Sequence, residues 1–285
     1  MPNIMSVVNR KPPTTLYHYT DFNGLIGIVS TGQIWMGDVF FLNDKKEYLE
    51  GLDIFNLELA KRKEGYKNDG ISVFLNTLGT VEEALKKQTQ FVFSLTEDND
   101  LLSQWRGYTN NGMGVSIGFS SSEFLNSFKL LPCIYDRTEQ ELYVSHLFDL
   151  ALNIFRNTPE KNKWDKSNCM NDLELPYWDA INEAGSKLIS TLDVACAIIK
   201  NPAFKEEKEW RLISFDDDGL HFVSKASFVK PIKKTSFSNN KGIINSIKVG
   251  PTPDRDLCVR SIKKLLDCHF THSVDISMSS IPYRN

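Results

Sequence analysis

What most constrains this chain is the irregular order of its two hydrophobic periods. Period-two alternation marks strands. Phe91, Phe93 and Leu95 alternate across 90–95, and Val115, Ile117 and Phe119 across 113–119. Residues 16–19, 33–36, 209–215, 220–224, 242–249 and 274–278 read the same way. Helical spacing falls between them at uneven intervals. Asp21 caps a helix carrying Leu25, Ile28 and Val29, and Gly32 closes it. Asn43 or Asp44 opens a longer helix with the stripe Tyr48, Leu52, Phe55 and Leu59. Residues 140–157 and about 171–200 are helical in period, and Thr252 and Pro253 stand as N-cap and N1 of a helix carrying Leu257, Ile262, Leu265 and Leu266. Such an order predicts α+β rather than a doubly wound α/β fold. The helical stretch at about 138–200 interrupts a strand-rich chain, so it reads as an insertion into a single domain over 1–285.

Several function classes are disfavoured by composition. A net charge of −3 argues against a generally basic nucleic-acid coat, while leaving room for a local patch. No apolar run reaches the roughly 20 residues that span a bilayer. The first eleven residues lack the apolar region of a secretory signal. Five scattered cysteines without CxxC spacing point to a reduced, cytoplasmic protein. Cys268, His269 and His272 lack a second ligand pair, so no metal site is expected. No P-loop is present, and no GxGxxG follows a strand.

Four segments carry chemistry-bearing groups. Glu209 and Arg211 are two apart on a strand and share a face, while Trp210 and Leu212 point the other way. They line a cleft or form an ion pair on a solvated face. His18 faces away from Tyr17 and Tyr19, either to hold ribose hydroxyls or as a satisfied, half-buried histidine. Trp105, Arg106 and Tyr108 lie in a Ser-, Gln- and Gly-rich segment that reads as a loop. Arginine matches phosphate oxygens and tryptophan stacks on flat rings; the plainer reading is a loop anchor. Asn43, Asp44 and Glu47 fit a helix cap or a cleft rim. Lys225, Lys230, Lys233, Lys234 and Lys241, with Phe228 and Phe237, read as a solvated loop or as phosphate contacts.

The ordered set Leu16-Tyr17-His18-Tyr19-Thr20, Leu42-Asn43-Asp44, Phe93-Ser94-Leu95-Thr96, Ser103-Gln104-Trp105-Arg106-Gly107-Tyr108 and Glu209-Trp210-Arg211 resembles a bacterial family known as a domain of unknown function, placed in the ADP-ribosyltransferase-like superfamily. The resemblance implies two packed, roughly perpendicular antiparallel sheets around a central cleft that takes NAD as substrate. It implies catalytic roles for Glu209 and His18, and NAD contacts from Tyr19, Thr20, Ser94, Trp105, Arg106, Tyr108 and Arg211. The function implied is NAD-dependent ADP-ribosyl transfer to RNA, DNA or protein, as a toxin or antiphage effector with an antidote protein and no membrane partner. The alternatives are an NAD glycohydrolase and a catalytically inactive nucleotide-binding or interaction module. All of these rest on one spatial expectation: His18 and Glu209 open onto the same cleft.

Overall fold

The computed structural model describes residues 8–42, 47–67, 69–110, 112–125, 128–159, 177–224, 227–237 and 242–282. Asn43, Asp44, Lys225 and Lys241 lie outside the described residues. In chain order the elements are β1 (Thr15–Thr20), α1 (Phe22–Thr31), β2 (Gln33–Asp38), α2 (Glu47–Gly65), α3 (Gly70–Thr77), α4 (Val81–Lys86), β3 (Phe91–Thr96), α5 (Leu102–Tyr108), β4 (Val115–Ser120), α6 (Ser121–Leu125), β5 (Lys129–Pro132), α7 (Arg137–Asn157), α8 (Trp178–Ile198), β6 (Glu209–Ser214), β7 (Leu220–Ser224), β8 (Val229–Ser236), β9 (Ile244–Val249), α9 (Arg255–His269) and β10 (Asp275–Met278). The fold class is α+β, as the irregular order of periods predicts. No helix is long and apolar enough to cross a membrane among the described residues.

The chain divides into two compact units. One comprises Asn43–Thr89 and Ile134–Pro202; the other comprises Val8–Leu42, Gln90–Cys133 and Ala203–Asn285. The helices expected as one insertion at 138–200 therefore share their unit with α2, α3 and α4. In the helical unit the stripe Tyr48, Leu52, Phe55 and Leu59 is buried as its spacing requires. Phe55 stacks on Phe148 of α7 at 5.2 Å, and Phe74 of α3 on Phe155 at 5.1 Å. Gly51 sits where a Cβ would come within 2.9 Å of the Cys196 backbone and sulfur, so a glycine lets α2 approach α8 closely. Tyr48 donates to Asp193 Oδ1 at 2.8 Å. Burial raises the Asp193 carboxyl to about 6 against the pull of that hydrogen bond.

The second unit is built on a sheet in which ten strands are joined, among the described residues, in the order β10-β9-β4-β1-β3-β2-β8-β7, with β6 and β5 branching from β3. The pairs are antiparallel except β9–β10, which is parallel, a departure from the all-antiparallel expectation. The branch makes a fork. One edge of β3 pairs with β6 along its whole length. The other pairs with β2 at Phe91 and Val92 and with β1 at Thr96. One face of the sheet carries Leu16, Phe93, Leu95, Ile117, Phe119, Trp210, Leu212 and Ile247, covered by Leu25, Ile28 and Val29 of α1 and Ile262 and Leu266 of α9. Helix α1 begins and ends as its sequence dictates: Asp21 accepts from the Gly24 amide at 2.8 Å, and Gly32 is left-handed at φ 61°.

Two sequence expectations fail locally. Trp105, Arg106 and Tyr108 lie on the short helix α5, not in a loop. The last long helix starts at Arg255, with Asp254 in the N-cap position and Thr252 accepting from the Asp254 amide at 3.3 Å; Thr252-Pro253 precedes the helix.

Candidate functional site

Strand register decides which candidate residues meet. Opposed residues of an antiparallel ladder point to the same face. Tyr17 opposes Thr96, and Thr96 opposes Glu209, so one row crosses β1, β3 and β6. Ser94 opposes Arg211 in the next row of that face. His18 alternates with Tyr17 and opposes Ile117 of the apolar core. His18 and Glu209 are thus on opposite faces of the sheet, and the expected shared cleft is not what the register builds.

His18 has a structural explanation. Between the points where β3 pairs with β2 and with β1, its forked edge has no ladder partner among the described residues. There the Ser94 carbonyl meets His18 Nδ1 at 2.9 Å, so the imidazole donates the hydrogen bond the fork leaves open. The ring stacks on Phe93 at 4.2 Å. Burial depresses its pKa to about 4, with the Ser94 bond pulling the other way, so the ring is neutral near pH 7. Thr20 lies under the first turn of α1, where a Cβ on Gly24 would overlap its hydroxyl.

On the opposite face, Glu209 and Arg211 form a buried bidentate pair. Arg211 Nε donates to Oε1 at 2.8 Å and Nη2 to Oε2 at 3.1 Å. The two residues are 5% and 2% exposed, so this is neither a solvated-face pair nor an open carboxylate. Above the same row, Thr96 Oγ1 donates to the Glu207 carbonyl at 2.6 Å. Lys208, between Glu207 and Glu209, has φ 43°, a left-handed conformation unusual for a residue with a Cβ. Its ammonium pairs with Asp98 at 2.9 Å.

Tyr19 and Trp105 occupy the same face as Glu209 but are spent on packing. The rings meet edge to face at 4.6 Å, and Trp105 is fully buried. The Tyr19 hydroxyl donates to the Asp98 carbonyl and accepts from the Leu101 amide, both at 2.9 Å, and burial raises its pKa. Trp105 Nε1 donates to Asp100 at 2.9 Å. Asp100 also accepts from the Ser279 and Ser280 hydroxyls and the Ser280 amide. Burial pushes its pKa up, and these donors outweigh that and lower it. Sequence reasoning missed Asp100 altogether; its spacing of five from Trp105 was the available signal. Arg106 and Tyr108 of α5 are exposed. Of the expected NAD-contacting groups, the structure therefore brings Tyr19, Ser94, Trp105 and Arg211 to the Glu209 face, with Trp105 enclosed.

The lysine-rich stretch is also different from the expected loop: over 229–236 it is strand β8. Lys233 is buried and donates to Ser214 at 2.9 Å and to Asp216. That pairing lowers the Asp216 pKa. These groups, with Phe128 and Phe215, line an open depression of about 640 Å³ that contains no residue of the expected NAD site.

Residues 104–212 match a family model described as a protein of unknown function, DUF2971. The matched span runs from α5 through both long helices to Glu209 and Arg211. No curated protein and no solved structure matches the chain.

Proposed function

We propose that this chain cleaves the nicotinamide–ribose bond of NAD and transfers ADP-ribose to a macromolecular acceptor, with Glu209 as the carboxylate that stabilises the transition state. The observation that carries this reading is the buried Glu209–Arg211 pair at the start of β6, in register with Thr96 and Tyr17. A buried ion pair is a poor stabiliser, because desolvation cancels much of its attraction. Its burial on a strand paired along both edges supports a chemical need for a fixed, ionised carboxylate. As the glycosidic bond breaks, its electron pair goes to the pyridinium nitrogen, which becomes neutral, so departure needs no general acid. Positive charge grows on the ribose ring, and Glu209 offsets it. Arg211 keeps the carboxylate charged and oriented. His18 is a positioning residue for β3 rather than a catalytic group. The resemblance to the ADP-ribosyltransferase-like superfamily supports the same chemistry and carries the expectations of a nucleic-acid or protein acceptor, a toxin or antiphage role, an antidote protein and a cytoplasmic setting.

A second reading, a catalytically inactive nucleotide-binding or interaction module, is favoured by one observation: Arg211 holds both Glu209 oxygens. The two readings part on nicotinamide release from NAD. The transferase releases nicotinamide and labels RNA, DNA or protein in a lysate, and Glu209→Gln lowers the rate by about 10²–10³ while still binding NAD. Release with no labelled acceptor indicates hydrolysis by water. NAD binding without release from the unaltered protein establishes the second reading.

A further inference from the structure

Strand β8 sorts its lysines by face. Lys233 opposes Met36 and Leu220 and lies on the core side. Lys230 and Lys234 alternate to the other side, with Trp35 and Gly37 of β2. Trp35 is 47% exposed on this surface of three neighbouring strands, β2, β8 and β7. The Lys234 ammonium lies 5.0 Å from its ring centroid. A Cβ on Gly37 would come within 2.9 Å of Lys230 Nζ, so the glycine leaves room for that ammonium over the strand, two residues from the indole. His221, opposing Ile232, is exposed on the same face. On β2, β7 and β8 this face carries two lysines and a histidine and no carboxylate; Asp38 points to the other side, close enough to Lys230 for their charges to interact. In a chain of net charge −3, that is a local concentration of positive charge around an exposed flat ring.

We propose that this face binds single-stranded nucleic acid, with a base stacked on Trp35 and the flanking phosphates on Lys230 and Lys234. A π-face for the base and ammonium groups for the backbone are the two elements that unpaired strands need. The Lys234 ammonium leaves the indole for the phosphate as the base arrives. A duplex presents no free base face to a flat sheet, so it binds more weakly. The surface lies on the same side of the sheet as Glu209, through Gly37, Val92 and Ile213 in register, yet the binding claim stands whether or not Glu209 acts on NAD.

The test is fluorescence anisotropy with labelled RNA and DNA oligomers of about 12 nucleotides, single-stranded and duplex, at several salt concentrations. The full chain binds the single strands with salt-dependent affinity and prefers them to duplex. Trp35→Ala weakens binding about ten-fold, whereas Trp35→Phe retains most of it. Lys234→Glu weakens binding and flattens the salt dependence. Both positions are solvent-facing, and thermal melts confirm that the variants fold. Equal binding of duplex and single strand, unchanged affinity in Trp35→Ala, or capture of an acidic peptide with no oligomer binding would each overturn the proposal.

Discussion

Asp193 of the helical unit and Glu209 of the sheet unit are both buried carboxylates, and they are held in opposite ways. Asp193 has a phenol, Tyr48, as a hydrogen-bond donor, and its pKa rises to about 6. Glu209 has a guanidinium gripping both oxygens. A neutral donor satisfies geometry without supplying charge, so burial still favours the protonated acid. A cation fixes the ionised form and leaves two charges that depend on each other. The first arrangement suits a packing contact; the second suits a site that needs a carboxylate fixed in place by a counter-charge.

The contrast is broken most sharply at Arg211. Arg211→Met strands a buried charge and should cost about 3–5 kcal/mol in urea denaturation, whereas the double variant Glu209→Leu/Arg211→Met should recover most of that loss. An intact transition midpoint in the single variant would mean that Glu209 does not depend on Arg211.

Next in size is Asp193→Asn. The native state holds the Asp193 proton more tightly than the unfolded chain does, since the pKa rises from 3.8 to about 6. Its contribution is therefore greatest below about 4 and is lost as pH rises through 6. The amide should stabilise the helical unit by about 3 kcal/mol at pH 7 and make little difference at pH 4. Amide hydrogen exchange at Phe55 and Leu192 reads this directly; equal protection in both proteins at pH 7 would refute it.

His18 provides the smallest effect and the opposite slope. Its pKa falls from 6.5 to about 4, so its contribution is present above 6.5 and drains away as pH falls toward 4. Acidification over that window should loosen β1 and β3 while tightening the helical unit. His18→Phe keeps the stack on Phe93 but removes the donor to Ser94, at a cost of about 1–2 kcal/mol, and should abolish the acid slope in the exchange of β3 amides. A slope that persists in the variant would assign it to another group.

Much of the fold could be read from the chain because its signals are local. The alternation of Phe91, Phe93 and Leu95 and the caps Asp21 and Gly32 need no distant partner to take effect. Strand β8 was hidden because Lys230, Pro231, Lys233 and Lys234 interrupt the apolar alternation that marks strands elsewhere, and α5 because seven residues containing Ser, Gln and Gly show no period. At the site, the shared face of Glu209 and Arg211 followed from spacing alone. The placement of His18 on the reverse face from them depends on register between strands nearly 200 residues apart, which no local pattern encodes.

The interleaving of the two units has a consequence for biogenesis. The chain passes from one to the other after Leu42, Thr89, Cys133 and Pro202, so neither unit is a single uninterrupted segment of the chain. During translation β4 emerges complete at Ser120, while β9, the neighbour that covers its outer edge, does not begin until Ile244. At typical elongation speeds that edge stays open on the ribosome for roughly ten seconds, long enough that nascent chains crowded on one message risk joining through it.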